Sequence, residues 1–291
     1  MTTPSSLPEK ILSHKVQPGL QGIPGVKNII AIGSGKGGVG KSTVSANLAI
    51  ALAQAGAKVG LLDADIYGPS QPLIMGAAEA PSSEDKKTIN PLLRHGVKIM
   101  SIGYLVDTKT PMIWRGPMVS GALQQLLNDT RWGELDYLIL DLPPGTGDIQ
   151  LTMSQKIPVS GAVVVTTPQE LSLLDARRAI GMFNKVQIPV LGIVENMSVY
   201  ECPHCHHADT IFGEHGADTL AKEFNAVVLG KLPLDKSIRA DADAGTPTVA
   251  AHPESSIAHC YHKIALALAA RLSLQAKSYT SKFPKIVIEN N

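Results

Sequence analysis

Gly35-Lys36-Gly37-Gly38-Val39-Gly40-Lys41-Ser42 sets the reading of the whole chain, because an apolar run at 26–32 leads into it and a helical pattern at 41–55 leads out of it. In that second segment Val44, Leu48, Ala51, Leu52 and Ala55 fall on one stripe, as a helix packed on a core requires. A strand, a glycine-rich turn and a helix in this order are the context in which G-x-x-x-x-G-K-[ST] binds phosphate. The glycines let the backbone turn tightly with its N–H groups facing inward, and the helix N-terminus adds partial positive charge. Gly35, Lys36, Gly37, Gly38, Val39 and Gly40 are therefore expected to cradle the phosphates of ATP. Lys41 is placed to reach the β- and γ-phosphates, Ser42 to offer its hydroxyl oxygen to Mg²⁺, and Thr43 to meet the α-phosphate. A ligand-free glycine turn is the competing interpretation, and the agreement of strand, loop and helix weighs against it.

Working outward, short apolar runs of strand length recur at 58–62, 97–102, 135–140, 161–165, 190–194 and 226–229. Their flanks do not alternate with polar residues, which predicts strands buried on both faces. Helical spacing appears between them at 117–127, 170–183, 216–224 and 259–272. Alternating strands and helices imply βαβ units with right-handed crossovers, so the fold class is α/β, a doubly wound and mostly parallel sheet flanked by helices. Residues 1–25, rich in Pro, Ser and Gly, read as an extended arm. Residues 26–276 form one domain with a Cys-x-x-Cys loop near 200–212, residues 78–90 a polar loop, and 277–291 a loose tail.

Composition narrows the function. With 44% hydrophobic and 18% charged residues the 291-residue chain is far from the disordered regime. A formal net charge of +1 gives no global field toward nucleic acid or anionic lipid. There is no apolar run of membrane-spanning length and no signal-peptide pattern in the first ten residues, so a cytoplasmic protein without a membrane partner is expected. Three cysteines do not make a disulfide framework, and they leave metal binding or buried thiols.

Leu61-Leu62-Asp63-Ala64-Asp65 brings two carboxylates to the carboxyl edge of the sheet, where such folds bind ligands. Asp65 is the candidate for orienting the attacking water and supporting Mg²⁺, while Asp63 is expected to fix the loop; two structural caps are the alternative. Leu138-Ile139-Leu140-Asp141 delivers Asp141 to the same edge as a Walker B carboxylate, holding Mg²⁺ through water. The stiff and then flexible segment at 143–148 suits a switch that senses the γ-phosphate. Asn196 ends another predicted strand and is either an adenine contact or a turn residue. Trp114 and Arg115 precede a helix start without an assigned role.

Cys202-Pro203-His204-Cys205 points two sulfurs at one place, which suits zinc or an iron-sulfur cluster and less well a redox pair. His206, His207 and His215 are near enough in sequence to complete a Cys₂His₂ zinc shell within one chain. Cys260 lies in a helical segment with Ala258, Tyr261 and Ile264, and reads as a small apolar residue.

GKGGVGKST, with its second lysine Lys36, resembles the deviant Walker A family that includes ParA, MinD and the nitrogenase iron protein. The resemblance implies that Lys36 reaches across a dimer interface to the partner's nucleotide and takes part in catalysis. The combination of GKGGVGKST, DADIYGPSQP, WRGPM, LDLPPGTGD, ENMS and CPHC, over roughly 26–250, is similar to the Mrp/ApbC family of iron-sulfur cluster carrier ATPases. That similarity implies a homodimer binding a labile [4Fe-4S] cluster at Cys202 and Cys205, received from an assembly scaffold and passed to apo-proteins. Members often carry a small additional N-terminal domain, which is expected to be absent or vestigial here. A MinD- or ParA-like positioning ATPase with a structural zinc site is the alternative. The tail KSYTSKFPKIVIENN makes a poor membrane anchor for that role.

Overall fold

A computed structural model describes residues 4–105 and 116–278 of the chain. Trp114, Arg115 and most of the expected tail lie outside the described residues. In chain order the elements are β1 (Ile29–Gly33), α1 (Lys41–Gln54), β2 (Val59–Asp63), α2 (Gln71–Ile74), β3 (Leu92–Arg94), β4 (Val97–Ser101), α3 (Gly116–Asp129), β5 (Tyr137–Asp141) and α4 (Asp148–Lys156). They continue as β6 (Gly161–Thr166), α5 (Glu170–Lys185), β7 (Val190–Glu195), β8 (Tyr200–Glu201), β9 (Ala208–Asp209), α6 (Gly216–Glu223), β10 (Val228–Lys231), α7 (Lys236–Asp243), α8 (Thr248–Ala251) and α9 (Ser256–Ser273).

Among the described residues eight strands form one sheet in the order β10-β7-β6-β1-β5-β2-β4-β3. Every pairing is parallel except β3 with β4 at the edge. Strands β1, β2, β5 and β6 are buried along their whole length, as runs such as IIAIG and YLILD require when helices cover both faces. Successive side chains point to opposite faces, so each strand feeds two cores. Ile30, Ile32 and Ile139 pack with α1 and α9 residues such as Leu48 and Leu268. Ile29, Ala31 and Leu140 pack on the other face with Leu123, Ile180 and Phe183.

The sheet register levels the functional edge. Ile32 and Asp63 each stand opposite Asp141, and Asp63 stands opposite Ser101. Four neighbouring strands therefore end together, and everything they carry beyond that line meets in one crevice.

The N-terminal segment contains no helix or strand among its described residues, yet it is tied down. Gln17 donates to the carbonyls of Ser154 and Ile157 at 2.7 and 3.1 Å and accepts from the Val159 amide at 3.0 Å. Asn28 donates to the Leu12 carbonyl at 2.9 Å, and His14 bridges to Lys277 as an isolated antiparallel pair. Among the described residues no helix is long and apolar enough to cross a membrane.

Candidate functional site

The glycine-rich turn follows β1 and opens α1. Gly38 and Gly40 adopt φ of 81° and 79°, the left-handed region that a side chain disfavours, and the first turn of α1 has no side-chain cap. Its leading N–H groups are thus presented to the crevice, where an anion satisfies them. Gly35 is required by close approach: a Cβ there would overlap the carbonyl of Asp175 on α5. Gly35→Ala is expected to destabilise the fold by about 1–3 kcal/mol, as overpacking against immobile backbone does, and to weaken nucleotide binding with it. Urea unfolding and ADP titration of the variant check this.

Lys41, Ser42 and Asp141 are brought together. The Lys41 ammonium lies 2.6 Å from Asp141 Oδ1 and 3.2 Å from the Ser42 hydroxyl oxygen, and both Lys41 and Asp141 are buried. Asp141 Oδ1 also accepts from the Ser45 hydroxyl at 2.8 Å, and Oδ2 accepts from the Gln71 amide at 2.8 Å. A buried ion pair is favourable only when its remaining polar capacity is met, and Ser45 and Gln71 meet it here.

Asp63 fixes the loop that carries Asp65. Its two oxygens accept from the amides of Asp65, Ser70 and Gln71 and from the Ser101 hydroxyl, at 3.0–3.1 Å. Burial, and then the neighbouring Asp141 carboxylate, push Asp63 up to about 7, against the opposing pull of main-chain N–H groups and Lys41. Asp65 is 8% exposed, accepts from the amides of Tyr67 and Gly68 at 3.2 Å, and is raised by burial. Three aspartates thus share the field of one lysine, a surplus of negative charge that favours a divalent cation. Among the described residues no three His, Cys, Asp or Glu side chains converge as a metal cage. The residues present fit Mg²⁺, which takes one or two protein oxygens and completes its shell with phosphate oxygens and water.

The segment after β5 lies against the turn. Gly145 N donates to the Ser34 carbonyl at 3.0 Å, Gln150 donates to the Pro144 carbonyl, and Ser34 donates to the Lys36 carbonyl at 2.9 Å. Lys36 is half-buried on this turn, while Gly37 and Gly38 are exposed. On the opposite side Asn196, at the end of β7, donates to the Val39 carbonyl at 2.9 Å. Its amide occupies the space a Cβ on Gly40 would need. In this arrangement Asn196 holds the turn itself. Its neighbours reach the other way: buried Glu195 accepts from the Ala217 amide at 2.7 Å at the start of α6, and Met197 takes φ of 56°.

Between Met197 and α6 the chain makes a small hairpin, β8 with β9, and Cys202 and Cys205 sit at its tip. The Cys202 amide donates to the His207 carbonyl at 3.0 Å and the His206 amide to the Cys202 carbonyl at 2.9 Å, closing the turn. N–H groups of Cys205 and His204, then the Cys205 side chain, hold the Cys202 thiol below its ordinary range. A thiol poised toward thiolate is what a metal ligand or cluster ligand needs. Cys202 is half-exposed and Cys205 exposed. Of the histidines that the rival zinc shell would use, His206 lies 2.8 Å from Glu201 and His215 sits at the head of α6 beside Asp218, while His207 is exposed on the hairpin. No group of three potential ligands forms there among the described residues. Cys260 packs half-buried against the α1–α9 core. Gln71, absent from the sequence-based candidates, adds a bridge between Asp141 Oδ2 and the Ser42 carbonyl. It carries no motif signal beyond its place in DADIYGPSQP.

The levelled strand ends, the glycine turn and the Lys41–Ser42–Asp141 set define a nucleotide-binding protein of the phosphate-loop class. The chain belongs to the ParA family of NUBPL iron-transfer P-loop NTPases, whose family model matches residues 25–269. It is 57% identical over 258 residues to the iron-sulfur cluster carrier protein of Pseudomonas fragi, covering 88% of this chain and 90% of that one. The iron-sulfur cluster carrier protein of Escherichia coli K12 is 57% identical over 257 residues, covering 88% of this chain and 70% of that one. Among solved structures, a nucleotide-binding protein of Archaeoglobus fulgidus in complex with ADP is 41% identical with a TM-score of 0.66, covering 76% of this chain and 87% of that one. The cell division ATPase MinD of Pyrococcus furiosus matches with a TM-score of 0.64 at 23% identity, covering 84% of this chain and 98% of that one, a likeness of fold.

Proposed function

We propose that this protein is a homodimeric, ATP-hydrolysing carrier whose cargo is a [4Fe-4S] cluster, accepted from an assembly scaffold and delivered to apo-proteins. The observation that carries this reading is the hairpin tip, where two accessible thiols lie within hydrogen-bond reach of each other and the chain adds no third ligand among the described residues. Such clusters take four thiolates. Two-fold pairing of the tip supplies them, because every ligand near the axis appears twice. The names of the relatives at 57% identity agree with this cargo.

At the nucleotide, Lys41 neutralises the β- and γ-phosphates, Ser42 and Asp141 hold Mg²⁺, and the turn from Gly35 to Gly40 with Thr43 binds the remaining phosphate oxygens. Asp65 orients the attacking water. Lys36 reaches the nucleotide of the second subunit, where it neutralises charge on the transferred phosphoryl group. Asn196 contacts the base on releasing or extending beyond Val39. Coupling to cargo has a path in the chain, since residues 195–198 touch the phosphate turn at one end and the base of the hairpin and α6 at the other. Nucleotide-dependent dimer geometry then biases cluster retention.

Anaerobic reconstitution with ferrous iron and sulfide is expected to give a coloured dimer carrying about four irons and four sulfides per two chains. Iron and sulfide counting with size-exclusion chromatography checks it. One zinc per monomer, retained on dimer dissociation, would overturn the reading in favour of a structural site.

A further inference from the structure

Gln71 is fully buried at the first position of α2, and its amide nitrogen donates in two directions, to the Ser42 carbonyl at 2.9 Å and to Asp141 Oδ2 at 2.8 Å. Its main-chain N–H is held at 3.0 Å by Asp63. The side-chain oxygen Oε1 is buried and finds no hydrogen-bond partner among the described residues. The amide cannot be turned over to cure this, because Oε1 would then face two acceptors, a carbonyl and a carboxylate. An amide oxygen left bare in an interior is costly, and it points to a donor that arrives with a ligand. The neighbouring acceptors are already engaged: Asp141 Oδ1 by Lys41 and Ser45, and Oδ2 by Gln71 itself.

Hydrated Mg²⁺ brings such donors. It retains several of its waters, and a metal-bound water offers only its hydrogens to the surroundings. We propose that Gln71 is a positioning residue of the metal–nucleotide site, its nitrogen fixing Asp141 against the start of α1 and its oxygen accepting from a water of hydrated Mg²⁺. This rests on the assignment of Ser42 and Asp141 to Mg²⁺.

The test compares ADP binding by the full-length protein in EDTA and across a Mg²⁺ series, by calorimetry, for the unaltered chain and Gln71→Met. Affinity without metal should fall by what the lost bonds to Asp141 and Ser42 contribute, and on top of that the Mg²⁺ concentration giving half of the metal-dependent gain should rise about tenfold, as expected for loss of one hydrogen bond to a charged group. In the unaltered, ADP-bound protein, the Gln71 side-chain amide NMR signal should shift when Mg²⁺ is added, which needs no variant to fold. Equal losses with and without Mg²⁺, or an amide signal indifferent to the metal, overturn the assignment of Gln71 and leave the phosphate turn intact. Absence of ADP binding by the unaltered chain at any Mg²⁺ concentration overturns both.

Discussion

Lys41→Ala is expected to weaken ATP binding about 100-fold or more and to abolish turnover. Among the described residues the ammonium is the one cation beside the buried carboxylates of Asp63, Asp65 and Asp141, so its removal takes away a charge-assisted contact to phosphate, worth about 1.5–3 kcal/mol, and leaves the aspartates to repel that phosphate. The ligand-free protein should also suffer, because Asp141 loses its partner at 2.6 Å while remaining fully buried. Breaking a buried pair from one side costs about 3–5 kcal/mol. Calorimetry with ATP and urea unfolding separate the two losses. Asp65→Ala forms the contrast: its carboxylate feels the Lys41 charge but is hydrogen-bonded to the amides of Tyr67 and Gly68, so binding should survive and hydrolysis should slow. Normal turnover by the Lys41→Ala protein would remove the basis for assigning the phosphate turn.

The parts of this site that lie on continuous sequence patterns were open to inspection. The helix expected from 41 to 55 is observed at Lys41–Gln54, and the run ending in Asp141 is a strand ending in Asp141, because apolar periodicity and glycine spacing are local properties. The short edge strand β3 was not anticipated. Its signal is the two-residue turn His95-Gly96, with φ of 49° and 78°, whose match to a hairpin turn is visible only once β4 is known to pair with what precedes it. Helices α4 and α7 also escaped notice, and α7 has a readable start, Asp235 capping the Ser237 amide. Gln71 is different in kind. Its function depends on Asp63 holding the loop so that residue 71 reaches a strand end seventy residues away in sequence, and no local pattern encodes that. The hairpin shows the same limit: His206 and the cysteines are neighbours in sequence, but the turn sends the imidazole to Glu201.

Cys202→Ala and Cys205→Ala are each expected to abolish cluster loading while leaving ATP affinity within about twofold of the unaltered, cluster-free chain. Iron in such clusters prefers soft thiolate ligands, and each substitution removes two of four in a symmetric dimer, not one. The remaining pair has no further thiolate to recruit nearby, since Cys260 packs half-buried against the core. The main-chain bonds that close the hairpin, from the Cys202 amide to His207 and from the His206 amide to the Cys202 carbonyl, persist in both variants, and Cys202→Ala loses only the contacts its sulfur makes with the N–H groups of His204 and Cys205 and with the Cys205 side chain. The phosphate turn, built from β1, α1 and the Val39–Asn196 contact, shares no side chain with the hairpin tip, so the variants should bind nucleotide as the unaltered chain does when it carries no cluster. Loading should in turn strengthen the dimer, for a ligand bridging two chains stabilises the assembly that binds it. Absorbance and iron content after anaerobic reconstitution, paired with sedimentation of loaded and unloaded protein, test both halves. A Cys202→Ala protein that still takes up four irons per dimer would show that the cargo is held elsewhere.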